Sequence, residues 1–237
     1  MLQQLVQTTL DKKVYELHAH ETLKFDFGRA SVDASHNERL KKAIDNGVVR
    51  NDKNRQLKLL ELPDSNAVRS LAGAIKQHTL DHLDYYLKQL AENIEKKGGH
   101  VHFASDGDHA KRIVFDIVKK SNARRIIKSK SMASEEIELS HVMEAAGLDV
   151  VETDLGEFIV QIDHDKPSHL VTPIIHKDKA SIAKLFSEYF GTPYNDDPEA
   201  LTAQARAFLR DKFRQADLGM TGGNFLVAET GDVVTVE

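Results

Sequence analysis

Past Gly99 the chain alternates short apolar runs with stretches of helical periodicity, and this alternation narrows its fold more than any other feature. Residues 101–104 (Val-His-Phe-Ala) read as a strand, 108–122 as a helix, 126–128 as a second strand, 134–146 as a helix ended by Gly147, and 149–153 as a third strand. Helices between successive strands are what parallel pairing needs, because a tight turn can join only antiparallel neighbours. The order therefore predicts an α/β fold with a mostly parallel sheet flanked by helices. Further strands are expected at 157–163 and 170–175, and helices at 179–190 and 198–216, the latter with Asp197 as cap and Pro198 in its first turn. Residues 225–228 and 233–236 read as paired strands around Glu229-Thr230-Gly231-Asp232.

Before Gly99 the pattern is helical from about 35 to 97, with loop signals at Asp45-Asn46-Gly47 and at Leu62-Pro63-Asp64-Ser65-Asn66. Leu71, Ile75, Leu80, Leu83, Leu87, Leu90 and Ile94 recur at helical spacing and mark one amphipathic face, suited to docking a partner or a second copy of the chain. Lys96-Lys97-Gly98-Gly99 supplies cations for the last turn and glycines just past it. The expected organisation is a helical extension over 1–97 and an α/β domain over 98–237. The chain ends directly after its last strand, as a truncated domain would.

Length and composition limit the function classes. At 237 residues and 41% hydrophobic content the chain can bury a real core. Its 32 basic and 37 acidic residues are interspersed, which argues against a nucleic-acid surface. No apolar run reaches the ~20 residues of a membrane span, and the polar start lacks a secretion signal, so a cytoplasmic protein is expected. There is no cysteine, which rules out disulfides, thiolate nucleophiles and cysteine-held iron-sulfur clusters on these residues.

The most suggestive chemistry follows the second strand. There the loop Lys128-Ser129-Lys130-Ser131 leads into a helix opening at Ser134, and a hydroxyl-rich, lysine-flanked helix start can hold a carboxylate or phosphate. The plainer alternative is that Ser134 caps the helix, Glu135 and Glu136 answer its dipole, and the lysines are solvated. Ligands of open parallel sheets sit at the carboxyl ends of strands, where this loop lies. Glu152, Asp154 and Glu157 surround Gly156 at another expected strand end, as a hydroxyl-orienting or magnesium-binding group or as a solvated acidic turn.

Gly219-Met220-Thr221-Gly222-Gly223-Asn224 lets backbone approach a ligand closely, or serves as a strained turn into a strand. Glu229, beside Thr230 and Gly231, is a candidate nucleophile or base if shielded, and otherwise an exposed turn residue. Among the 12 histidines, His18/His20, His78/His82 and His100/His102 lack a third metal ligand at a telling distance, so no metal is expected. His169 and His176 flank an apolar stretch containing Pro173 and are the better pocket candidates.

Three segments together carry a resemblance: Lys128-Ser129-Lys130-Ser131-Met132 with Glu135-Glu136-Ile137; Val151 through Thr153-Asp154 to Glu157; and Thr221-Gly222 through Ala228-Glu229-Thr230-Gly231. With Ile75 to Leu80 and Pro167 to Val171, they closely resemble the lactate-utilisation (LUD) domain of the LutB-type iron-sulfur proteins, over most of the chain from about Leu62. The resemblance implies a NagB/RpiA/CoA-transferase-like fold and a part in the three-component oxidation of L-lactate to pyruvate, with electron transfer and the other subunits of that complex as partners. Family members typically continue into a ferredoxin-like, cluster-binding region, from which this cysteine-free chain departs, so no cofactor is expected on it.

The motif positions brought by the resemblance are Lys128, Ser129, Lys130, Ser131, Glu152, Thr153, Asp154, Glu157, Thr221, Gly222, Asn224, Glu229 and Thr230; with His169 they form the candidate site, for a small anionic ligand. Two rival readings are a CoA-transferase-like or cyclo-ligase-like enzyme using Glu229, and a non-catalytic docking module that binds a partner or forms a homo-oligomer with a second copy.

Overall fold

The computed structural model describes residues 26–236. His18 and His20 lie outside them. The described residues divide into two compact units, residues 26–44 with 104–222 and residues 45–103 with 223–236.

The first unit is built on a parallel sheet of β1 (Arg125–Lys128), β2 (Asp149–Glu152) and β3 (Leu218–Met220), in the order β2-β1-β3. One face carries α5 (Gly107–Lys120) and α7 (Leu139–Ala145), whose Phe115, Val118, Leu139, Val142 and Met143 pack with Ile126 and Val150. Val151 points to the opposite face, against α8 (Leu155–Ile162), α9 (Lys179–Phe190) and α10 (Pro198–Gln215). There Phe158 and Phe186, each 1% exposed, meet Phe190 and Phe208 in an aromatic cluster, with Phe158 and Phe208 stacked at 5.3 Å between centroids. Successive strand residues point to opposite faces, so Val150 and Val151 serve the two cores.

The mixed α/β class and the parallel pairing agree with expectation, but several elements do not. Residues 157–163, expected as a strand, belong to the helix α8. The Phe158-Ile159-Val160 run suits a buried helix as well as a strand. Asp154 decides the matter locally, since its carboxylate accepts the Glu157 N–H at 3.1 Å and caps the first turn.

Residues 170–175 form turns instead of a strand, and 101–104 form no strand. The helix expected over 134–146 is two, α6 (Met132–Glu136) and α7, separated at Glu138 by a left-handed φ of 52°. Its cap is Ser131, not Ser134: Ser131 Oγ accepts the Ser134 N–H. Gly219 and Met220, expected in a loop, form part of β3, a strand absent from the sequence reading.

In the second unit the expected loop at Asp45-Asn46-Gly47 is absent. The helix α2 (Glu38–Leu60), which follows α1 (Phe27–Ser35), runs through it, one glycine being affordable within a long helix. The break at Leu62 to Asn66 is real and opens α3 (Ser65–Asp81), capped by Asp64. Leu71, Ile75 and Leu80 are exposed along α3. α4 (Leu83–Lys96) ends at Gly98, whose φ of 85° is left-handed as a glycine stop requires. The hairpin β4 (Phe225–Val227) and β5 (Asp232–Val234) is antiparallel, as expected, and rests on α4, where Asn93 Nδ2 donates to the carbonyls of Ala228 and Glu229 at 2.9 Å each.

Among the described residues no helix is long and apolar enough to cross a membrane.

Candidate functional site

Lys128, Glu152 and Met220 are register partners and form one row at the carboxyl edge of the parallel sheet. The row is held from both sides. Thr153 donates its N–H to the Lys128 carbonyl at 2.8 Å, and Ser129 donates its N–H to the Met220 carbonyl at 2.9 Å.

The lysine is not solvated. Lys128 is 1% exposed, and its Nζ stands 2.9 Å from Glu152 Oε2 in an ion pair. Glu152 is itself buried, accepts the Ser140 hydroxyl at 3.0 Å on its other oxygen, and has its carboxyl pushed up by burial against the opposing pull of Lys128.

Lys130 reaches Glu157 in the first turn of α8, with Nζ 3.0 Å from Oε1 and the glutamate side chain 6% exposed. Glu135 of α6 joins the cluster: its carboxyl is pushed up by burial and by Glu157, against Lys128 and Lys130. Among the described residues the buried side-chain atoms without a hydrogen bond are Lys128 Nζ, Glu135 Oε1 and Glu152 Oε2. All three belong to this one cluster. Buried polar atoms are normally paired, so such a concentration marks either a polar guest or a strained charge group.

The expected convergence of Lys128 and Thr221 is present. Ser129 Oγ donates to Thr221 Oγ1 at 2.9 Å. Gly222 follows, where an added Cβ would come 3.2 Å from the Lys130 carbonyl oxygen and 3.5 Å from Ser131 Cβ. The structure thus brings together Lys128, Ser129, Lys130, Ser131, Glu152, Thr153, Asp154, Glu157, Thr221 and Gly222 within the first unit. Asp154 and Ser131 act there as helix caps, and Thr153 Oγ1 donates to the Lys128 carbonyl at 3.1 Å.

Asn224, Glu229 and Thr230 lie in the second unit. Asn224 Oδ1 accepts the Val236 N–H at 2.8 Å, and Glu229 is exposed on the hairpin turn. His169 is exposed in the loop before α9, where its Nδ1 accepts the N–H groups of Val171 and Thr172 at 3.0 and 3.1 Å. His176 bridges Ser168 and Asp165 at 2.6 and 2.9 Å. Both histidines brace the turn at Pro173 in the positions described. His78 hydrogen-bonds Tyr86 at 3.0 Å.

Sequence reasoning missed Glu135 as more than a dipole partner, and missed Ser140 and Gln161. The signals for Glu135 were its place one turn beyond the basic loop and its presence in a segment that carries the resemblance. Gln161 closes the edge of β2: its Oε1 accepts the Glu152 N–H at 3.0 Å and its Nε2 donates to the Val150 carbonyl at 2.8 Å, the bonds a further strand would make.

A model described as the LUD domain matches residues 87–237. The chain belongs to the LUD-domain family. Lactate utilization protein B of Bacillus licheniformis is 52% identical to this LUD-domain chain over 177 residues, which are 74% of this chain and 37% of that protein. The protein of the same name from Bacillus subtilis is 50% identical over 177 residues, again 74% and 37%, and that from Bacillus cereus 46% identical over 176 residues, with the same shares. The chain spans little more than a third of the length of these curated relatives. No solved structure matches it.

With no cysteine among the 237 residues, this LUD-domain chain has no thiolate to hold an iron-sulfur cluster, and no step through such a cluster is assigned to it.

Proposed function

We propose that this LUD domain belongs to an L-lactate-oxidising protein assembly and binds a small carboxylate, lactate or pyruvate, at the carboxyl edge of its parallel sheet. The reading draws on the family membership and on relatives named for lactate utilisation. The single observation that carries the site is that the buried side-chain atoms without a hydrogen bond, Lys128 Nζ and Glu152 Oε2 of one ion pair and Glu135 Oε1, gather where Lys128 and Lys130 flank the strand ends.

In this reading Lys130, whose side chain is 27% exposed, meets the carboxylate first by loosening its contact with Glu157. The Ser129 and Thr221 hydroxyls orient the substrate's second oxygen function. Lys128 supplies a fixed positive charge from below, and its burial makes that charge act more strongly than it would at the surface. A NagB/RpiA/CoA-transferase-like arrangement is the fold proposed with it, and the other proteins of a lactate-oxidising complex are the proposed partners.

Isothermal titration of sodium L-lactate and sodium pyruvate into the chain tests the site. Lys130→Gln should weaken binding about tenfold or more, consistent with loss of one charged hydrogen bond of roughly 1.5–3 kcal/mol. Thr221→Val should weaken it less. Affinity unchanged in both variants removes the ligand from this edge.

A further inference from the structure

The cluster at the strand ends holds more negative than positive charge before any ligand arrives. Lys128 from β1 is matched by Glu152 from β2, and Lys130 from the following loop by Glu157 at the start of α8. Asp154 is exposed and its carboxylate caps α8, so among the carboxylates turned away from water Glu135 from α6 is the one left without a lysine. Its carboxyl feels the charges of Glu157 and Asp154 at the α8 start and, opposing them, those of Lys128 and Lys130, and among the described residues its buried Oε1 has no hydrogen-bond partner. Adding a carboxylate would place a further negative charge beside the half-buried Glu135, which is unfavourable without a compensating positive one.

A proton on Glu135 removes both difficulties. It offsets the charge that the ligand brings, and it turns an orphaned acceptor into an O–H donor whose hydrogen bond an incoming carboxylate can accept. Resting on the carboxylate-site reading above, we propose that the ligand is taken up together with one proton, which resides on Glu135. Binding is then anion plus proton in and a net change of zero. Glu135 contacts the ligand in its neutral form and gates entry according to pH. Burial and the Glu157 charge already favour that neutral form.

The test is titration calorimetry of the chain with sodium L-lactate and sodium pyruvate, at about pH 7 and about pH 8, in buffers of differing ionisation enthalpy. The expected result is uptake of about one proton per ligand and affinity falling up to about tenfold per pH unit, the limit set by linkage for one proton. Glu135→Gln, which keeps a donor without the charge, should bind with no uptake and little pH dependence. Glu135→Ala serves should the amide variant fold poorly, and the wild-type proton count stands without either. Binding with no proton uptake in the wild type overturns this inference while leaving the carboxylate site intact. Uptake that persists in Glu135→Gln and Glu135→Ala overturns it as well. Absence of binding by either acid overturns both.

Discussion

Lys128 Nζ lies 2.9 Å from Glu152 Oε2 across the β1–β2 pair, the lysine 1% and the glutamate 10% exposed at the side chain. These two side chains stand on register partners at the end of their strands, so the ion pair is fixed by the same backbone pairing that builds the sheet. Removing the lysine alone leaves a carboxylate buried and unmatched. Lys128→Met should therefore lower stability by roughly 3–5 kcal/mol, while adding Glu152→Gln to it should recover most of the loss. Urea unfolding of the two single variants and the double variant measures the coupling, and purely additive effects would mean the pair is not energetically linked.

Glu135 gives a pH signature in stability. Its carboxyl is raised from the ordinary value in the folded chain, so the native state holds its proton more tightly than the unfolded state. The stability this provides is present in acid and is lost as pH rises from the unfolded value through the folded one. Glu135→Gln should consequently be more stable than the parent near neutral pH, by less than about 1 kcal/mol given solvent screening, with the advantage fading below the unfolded value. Melting temperatures across pH report this, and a constant difference would argue against a titrating Glu135.

Gln161 stands in for a missing strand beside β2. Gln161→Ala leaves the buried Glu152 N–H without its 3.0 Å partner and opens the sheet edge. A loss of roughly 1–3 kcal/mol is expected, the usual cost of an unsatisfied buried donor. Hydrogen exchange should show the Glu152 amide losing protection before that of Ile126 in the central strand.

Gly231 holds the hairpin against α4. Its φ is 75°, and an added Cβ would come 2.7 Å from Asn93 C and Ile94 N, both backbone atoms that cannot step aside. Gly231→Ala should cost more than ~1 kcal/mol and release the β4–β5 pairing. Amide exchange of Leu226 and Val233, which pair in the hairpin, checks it.

Phe158 anchors the second face of the sheet. Phe158→Ala removes a ring 1% exposed and surrounded by Phe186, Phe190 and Phe208, for a loss of roughly 3–5 kcal/mol in denaturant unfolding. A small effect would mean that the aromatic cluster closes readily over the gap.

Taken alone, the sequence determined the elements whose signals are local. Asp197 ahead of Pro198 set the start of α10, where its carboxylate accepts the Ala200 N–H at 3.2 Å. Gly98 and Gly147, both at positive φ, marked helix ends, and the basic loop after β1 marked the strand-end site. Tertiary structure decided whatever depended on distant partners. The run at Phe158 became a helix because both a cap and an aromatic core claimed it, and β3 became a strand because Ile126 to Lys128 offered it a pairing edge. Above all, Lys128 and Lys130 read along the chain as cations open to an anion or to solvent. Folding brought Glu152 and Glu157 against them, because a buried charge is tolerable only with an opposite one beside it.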